Sequence, residues 1–216
     1  MTLLADLRLA LTTEYGAPRP ETHVSDITLC PRKVCFQKLS PKALSNKDLN
    51  YFTSGKAIHA ALQSLVLKYP DRYEIEYEVK YKDILIGHID IYNKQSKIVI
   101  EAKSMRVAKC EAPKPHHIAQ IKAYMAITGS QYGILFYQLL LNYDDDPFRE
   151  FEVSITNEER KRILEQLEQD VYNLEYAIDM KDPSKARTLD LADDGFNWLC
   201  NSCSYINECL AIRNKK

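Results

Sequence analysis

The chain has 216 residues, 45% hydrophobic and 27% charged, which fits one globular domain with a substantial core and a small appended element, and excludes a disordered or fibrous chain. Its formal net charge is −1, from 29 Lys and Arg against 30 Asp and Glu, so any polyanion site must come from local segregation of charge. Such segregation is present: Cys30 to Ala60 holds six bases against one acid, whereas Asp144 to Asp182 holds thirteen acids against five bases. No segment approaches the roughly 18 uninterrupted apolar residues of a membrane helix. Asp6 and Arg8 interrupt the N-terminal run where a signal peptide would be apolar. A cytoplasmic protein is expected, with its six cysteines reduced and available as metal ligands rather than as a disulfide framework.

Residues 2–14 read as a short amphipathic helix ended by Gly16, Pro18 and Pro20, and 26–39 as a second helix. A third is expected over 53–69, with Thr53 or Ser54 as N-cap, Ile58, Leu62, Leu65 and Val66 at helical spacing, and Pro70 beyond its end. The period then changes to two: 74–81 and 83–92 read as strands joined by a minimal turn, and 97–104 as a third strand after a turn at 93–96. Pro113 and Pro115 open a helix that Gly129 stops. Strands at 131–142 and 149–155 and a long helix from Asn157 to about Met180 follow. The remaining residues look loop-like and end in a cysteine cluster. This order gives an α/β (α+β) fold with a mixed sheet flanked by helices.

Chemistry concentrates on the second and third strands. Glu101 and Lys103, two apart, project from one strand face, and hairpin pairing of the two strands would set Asp90 beside Glu101. Carboxylates brought together in a low-dielectric site repel unless a divalent cation neutralises them, and oxygen ligands favour Mg2+ or Mn2+. Taken alone, Glu-x-Lys is the common pattern of an edge-strand ion pair. His59, one helical turn after Gly55, stands within reach of the same patch as a third ligand. Gln120 and Tyr124, also one turn apart, suit hydrogen bonding to phosphate or stacking on a base. His116 and His117 look exposed and receive no role.

Gly55-x3-His59, Gly87-His88-Ile89-Asp90, Glu101-Ala102-Lys103 and Gln120-x3-Tyr124, in that order, resemble the RecB-like branch of the PD-(D/E)xK nuclease superfamily. The resemblance implies a restriction-endonuclease-like core with His59, Asp90, Glu101 and the backbone carbonyl of Ala102 as metal ligands. It further implies Lys103 as the helper in hydrolysis and Gln120 and Tyr124 beside the DNA. His88, on the strand face of Asp90, stands as a neighbour or a competing ligand.

Cys200-x2-Cys203-x5-Cys209 can bring three thiolates to one centre, with a fourth ligand from elsewhere: Cys30 first, Cys35 as runner-up, and Cys110 left as a free thiol. Ligand count alone leaves zinc and a four-iron cluster open. One ligand before the nuclease motifs and three after them, with LCPRK and CNSCSYINEC at the two ends, resemble the CRISPR-associated exonuclease family, fourth in the Cas series. That resemblance implies a 4Fe-4S cluster on Cys30, Cys200, Cys203 and Cys209. A single nuclease domain over 1–216 would have its core at about 53–180 and an iron–sulfur lobe from about 22–50 and 185–216. Joining position 30 to position 200 would restrict the unfolded chain by about 5 kcal/mol, making the cluster a structural clasp.

The implied activity is metal-dependent hydrolysis of single-stranded or frayed DNA, as an exonuclease cutting 5′ to 3′ and with endonuclease cleavage left open. Residues 30–60, with Lys109 and Lys114, would face the phosphates. The implied setting is a prokaryotic cytoplasm, where DNA is trimmed for CRISPR spacer acquisition alongside the spacer-integration complex. Two alternatives stand beside it: a RecB-like repair nuclease outside CRISPR, and a non-catalytic iron–sulfur or zinc DNA-binding subunit.

Overall fold

A computed structural model describes residues 3–16, 18–189 and 197–213. The chain divides into two compact units, one of residues 21–29 and 55–169, the other of 1–20, 30–54 and 170–216.

The first unit holds a five-stranded sheet in the order β1 (Tyr73–Tyr81), β2 (Leu85–Asn93), β3 (Ile98–Met105), β4 (Tyr132–Leu139) and β5 (Phe148–Ser154). All neighbours are antiparallel except β3 and β4, which run parallel. Parallel strands need a crossover, supplied by α5 (Pro115–Thr128). Its boundaries are those expected: Pro115 occupies the first turn, where its missing N–H costs nothing, and Gly129 ends the helix in the left-handed conformation at φ 77°. Two glycines let α5 lie close on the sheet. A Cβ at Gly133 would meet Met125 Sδ at 2.8 Å and Ile121 Cδ1 at 2.9 Å, and one at Gly87 would meet Tyr124 Cε1 at 2.5 Å. Ile121, Met125, Ile89, Val99 and Leu135 are fully buried in this core. The short helix α2 (Val24–Thr28) joins the same unit, because Thr22 accepts a hydrogen bond from the Ile86 N–H at 3.0 Å.

The expected helix over 26–39 is two helices, α2 and α3 (Pro31–Leu39). Pro31 disfavours helical backbone at the residue before it, and Cys30 is accordingly extended at φ −141°, ψ 95°. Helix α4 (Asn46–Val66) starts seven residues before the expected 53. Ser45 Oγ accepts from the Asp48 N–H at 3.1 Å while Asp48 returns the bond to the Ser45 N–H at 2.9 Å, a reciprocal cap with Asp in the place usually held by Glu or Gln. Thr53 is mid-helix, its hydroxyl donating to the Leu49 carbonyl. Helix α6 (Asn157–Asp179) is as expected, and α1 spans Leu3–Gly16.

In the second unit, buried Arg32 donates from Nε and Nη2 to the Ala186 carbonyl and from Nη2 to that of Ser184, each at 3.2 Å. Tyr205 stacks on Phe36 with ring centres 5.4 Å apart, and its hydroxyl donates to the Ser40 carbonyl at 3.0 Å. These contacts join residues 30–42 to residues 184–209. The C-terminal segment is not the loop expected: α7 (Asn197–Asn201) and α8 (Ile206–Arg213) flank Cys203. Both are too short to show a helical period. Residues 190–196 and 214–216 lie outside the described residues. No helix among the described residues is long and apolar enough to cross a membrane.

Candidate active site

The ladder between β2 and β3 has only three pairs, Asn93–Ile98, Tyr92–Val99 and Ile91–Ile100. The next step in register would set Asp90 opposite Glu101, and there the strands part. In place of the lost ladder bond, Asp90 Oδ2 accepts from the Ala102 N–H at 2.8 Å. Strand divergence thus opens a slot with a carboxylate on each wall. His59, on α4, closes it from a third direction, its Nδ1 3.3 Å from Asp90 Oδ1. Lys103 follows on the face of Glu101, with Nζ 2.5 Å from Glu101 Oε1.

Burial makes this slot electrostatically expensive. The Glu101 side chain is 2% exposed, and Oε2 is enclosed with no hydrogen-bond partner. Desolvation first, and the charge of Asp90 second, push its carboxyl up to about 7, against the pull of Lys103. Asp90 is also buried, though less completely, and His59, Lys103 and the Ala102 N–H outweigh its desolvation and hold it below the usual carboxylate range. The hydrogen bond to Asp90 raises His59 in turn, against its own burial. Burial alone would depress Lys103, yet Glu101 and Asp90 keep it above the ordinary lysine range. Two neighbouring carboxylates thus end with opposite shifts, and the one pushed up carries an orphaned oxygen.

That donor set fits a hard divalent cation: two carboxylates, an imidazole, and an enclosed oxygen that nothing in the protein satisfies. Among the described residues no three His, Cys, Asp or Glu side chains are already gathered in a metal-holding arrangement. The match is therefore one of donor chemistry and neighbourhood, with Asp90 bonded instead to Ala102 and His59, and Glu101 to Lys103.

The other site residues divide. Gln120 is half-buried on α5 and hydrogen-bonds the Tyr124 side chain. Tyr124 is only 4% exposed; its ring lies under Gly87 and its hydroxyl reaches the His88 backbone. The ring packs against the β2 backbone at Gly87. His88 turns to Glu78, Nε2 to Oε2 3.7 Å, and stacks near His23. His116 is buried, not exposed as its sequence neighbourhood suggested, and His117 is half-buried.

Three groups escaped the reading of the sequence. Gln63, one turn beyond His59, donates to Glu76 Oε1 at 2.7 Å and to the Asp90 carbonyl at 3.3 Å; its spacing from His59 was the available signal. His117 precedes Gln120 by three positions, on the same helical row. Tyr137 faces Lys103 across the parallel β3–β4 register, for which no local sequence signal exists.

In the second unit, the Cys200 thiol is raised by burial and then by Cys30, with Cys203 and Cys209 contributing. Cys203 is raised by burial and also feels Cys30 and Cys209. All four are half-buried free thiols, and Arg32 Nη1 lies 3.9 Å from Cys209 Sγ. Cys35 is different: fully buried, it is pushed up to about 11 by desolvation and by Asp182, as befits an inert core thiol. Cys110 is a free thiol that donates to the Ala112 carbonyl.

No curated protein matches the chain in sequence. Solved structures do match in fold: the crystal structure of SSO0001 at 22% identity and TM-score 0.65, over 95% of this chain and 94% of that one. An alkaline exonuclease, LHK-Exo, from Laribacter hongkongensis matches at 13% identity and TM-score 0.52, over 80% and 95%. A phage related exonuclease from Haemophilus somnus 129PT matches at 12% identity and TM-score 0.53, over 75% and 96%. At these identities the likeness establishes the fold alone. The sequence profile of the PD-(D/E)XK nuclease superfamily matches residues 54–152, the stretch that contains α4 from Ser54 on, the whole slot and α5. Residues 54–152 of this chain are therefore a domain of the PD-(D/E)XK nuclease superfamily.

Proposed function

We propose that the chain is a divalent-metal-dependent deoxyribonuclease whose site is built from His59, Asp90, Glu101 and Lys103. The observation that carries this reading is the enclosed, unpartnered Glu101 Oε2 beside a second buried carboxylate, an arrangement that a cation and a bound phosphate would complete. His59, Asp90, Glu101 and the Ala102 carbonyl would hold Mg2+ or Mn2+, which supplies a polarised phosphoryl oxygen and a more acidic bound water. Lys103 would exchange its present bond to Glu101 for one to the attacking water or to the phosphoryl oxygen, countering the charge that develops there. Asp90 would keep the slot open by holding the Ala102 N–H, and Gln120 would donate to a flanking phosphate.

The substrate we assign is single-stranded or frayed DNA, cut as an exonuclease from the 5′ end. The solved structures of similar fold include an alkaline exonuclease and a phage related exonuclease, and LHK-Exo has also been crystallised with dAMP. The order of motifs supports the finer assignment to the CRISPR-associated exonuclease family, with trimming of DNA before spacer capture as its work. We assign a structural 4Fe-4S cluster to Cys30, Cys200, Cys203 and Cys209, supported by the influence of Cys30 and Cys209 on the Cys200 and Cys203 thiols and by the inert environment of Cys35.

The test is cleavage of 5′- and 3′-labelled single-stranded DNA with Mn2+ by the native chain and by Asp90→Ala. Stepwise loss from the 5′ end, abolished in the variant, is expected. An inactive native chain, or an equally active variant, overturns the reading. Anaerobically purified protein should carry about four irons per chain and a broad absorption shoulder in the visible; colourless, iron-free protein overturns the cluster assignment.

A further inference from the structure

Resting on the nuclease reading above, we infer that His117 donates a hydrogen bond from its Nε2–H to a phosphoryl oxygen of the DNA held at Lys103, with Tyr137 as the positioning residue that fixes the required tautomer.

The chain of contacts sets the direction of each proton. Tyr137 is fully buried in β4, and its hydroxyl oxygen accepts from the Lys114 backbone N–H at 3.0 Å. The same hydroxyl lies 2.8 Å from His117 Nδ1. Of the two groups at this hydroxyl, the Lys114 N–H can only donate and Nδ1 can accept, so we assign the hydroxyl hydrogen to Nδ1 and the imidazole proton to Nε2. That atom has no hydrogen bond among the described residues, and the residue is half-buried. It is a fixed donor with nothing to donate to.

Its surroundings identify the acceptor. Tyr137 is the register partner of Lys103 across β3 and β4, and the Lys103 charge bears directly on the His117 ring. Desolvation, followed by Lys103, then His116 and Lys114, pushes the His117 imidazolium down to about 2. A ring kept neutral beside two lysines cannot serve as a general acid near pH 7. It can donate a hydrogen bond without adding a third positive charge, which suits an anionic oxygen that the lysines already attract. His117, Gln120 and Tyr124 follow one another at spacings of three and four along α5, one helical row. Tyr124, at one end, is influenced by Glu101 and Asp90, and His117, at the other, by Lys103. His117 meets Tyr137, and Tyr137 is the register partner of Lys103, so this end of the row adjoins the strand position of the lysine. No proton moves in this step: the Nε2–H bond is retained throughout, and a hydrogen bond to water is exchanged for one to the phosphoryl oxygen.

The experiment compares the native chain with His117→Ala, His117→Gln and Tyr137→Phe in Mn2+-dependent cleavage of single-stranded DNA. Thermal melting and the 15N resonances of the histidine rings are recorded on each. His117→Ala should lower kcat/KM about 100-fold, the usual loss for one donor to a developing oxyanion, mostly in kcat and with little change in melting. Gln sets an N–H near the same point and should recover about tenfold of that loss. Tyr137→Phe should cost several-fold, and its His117 resonances should show mixed tautomers where the native ring shows Nε2–H alone from pH 5 to 9. Because His117 is neutral throughout, the pH profile of His117→Ala should keep its shape and lose only amplitude. Unchanged cleavage by His117→Ala, equal rates for the Gln and Ala variants, or a native ring protonated on Nδ1 overturns the inference while leaving an active nuclease. A native chain without activity overturns the nuclease reading, and this inference with it.

Discussion

Replacing Glu101 with Gln should make the cation-free protein more stable at pH 8. Glu101 is buried, and desolvation together with Asp90 raises its carboxyl from 4.5 to about 7. Between those values the folded protein retains a proton that the unfolded chain has released, so rising pH removes stability. At 1.36 kcal/mol per pKa unit the full shift corresponds to about 3 kcal/mol. Water entering the slot and the response of Lys103 reduce this, so a difference of about 1–3 kcal/mol is expected. His59 acts in the same direction: its raised value contributes stability below pH 6.5 that disappears as pH rises through the folded value. Asp90, held low, contributes stability above its unfolded value of 3.8 and loses it only in more acidic solution, outside this window. Gln keeps the shape of Glu101 and has no charge to desolvate, and Lys103 retains Asp90 as a neighbour. The assay is urea unfolding of both proteins in EDTA at pH 5, 6, 7 and 8. The variant should match native near pH 5 and exceed it progressively to pH 8. Saturating Mn2+ should reverse the order, because a ligand present at 100 times its Kd adds about 2.7 kcal/mol to the protein that binds it. A difference independent of pH, or a variant less stable than native at pH 8 in EDTA, would refute the electrostatic reasoning.

Asp90→Ala should lose about 1–3 kcal/mol in the same unfolding assay, because the buried Ala102 N–H is left without its acceptor; Asp90→Asn, with its amide oxygen turned to that N–H, should retain most of it. Gly87→Ala forces a methyl to within 2.5 Å of the buried Tyr124 ring and 2.9 Å of Val24, an overpacking expected to cost about 1–3 kcal/mol, read as a lower melting temperature. Cys30→Ala and Cys35→Ala separate the two candidate thiols by iron content: the first should abolish iron binding, and the second should leave it intact with a small loss of stability from the buried cavity.

What the sequence disclosed, and what it hid, follows the range of the interactions. Glu101 and Lys103 share a face through the two-residue period of a strand, and Asp90 reaches Glu101 through a hairpin, so their meeting in one slot needs only local arithmetic. Pro115 and Gly129 bound α5 through backbone restrictions that are likewise local. The parallel register that sets Tyr137 against Lys103 is fixed by the packing of α5 on Gly87 and Gly133, and nothing in the residues flanking Tyr137 records it. The same packing encloses Tyr124, which in sequence looks like a polar group of an exposed helix face. Ser45 and Asp48 cap α4 with a variant of the usual pairing, so its first two turns were missed. Helices α7 and α8 are five and eight residues long, shorter than the window in which a helical period can be recognised.

The central claim, that a single divalent cation is shared by His59, Asp90 and Glu101, is tested most directly by anomalous diffraction from crystals soaked in MnCl2. One manganese peak within coordination distance of Asp90, Glu101 and His59, with Lys103 released from Glu101, is the predicted result. A slot that remains empty at saturating manganese while the Lys103–Glu101 pair persists would contradict it.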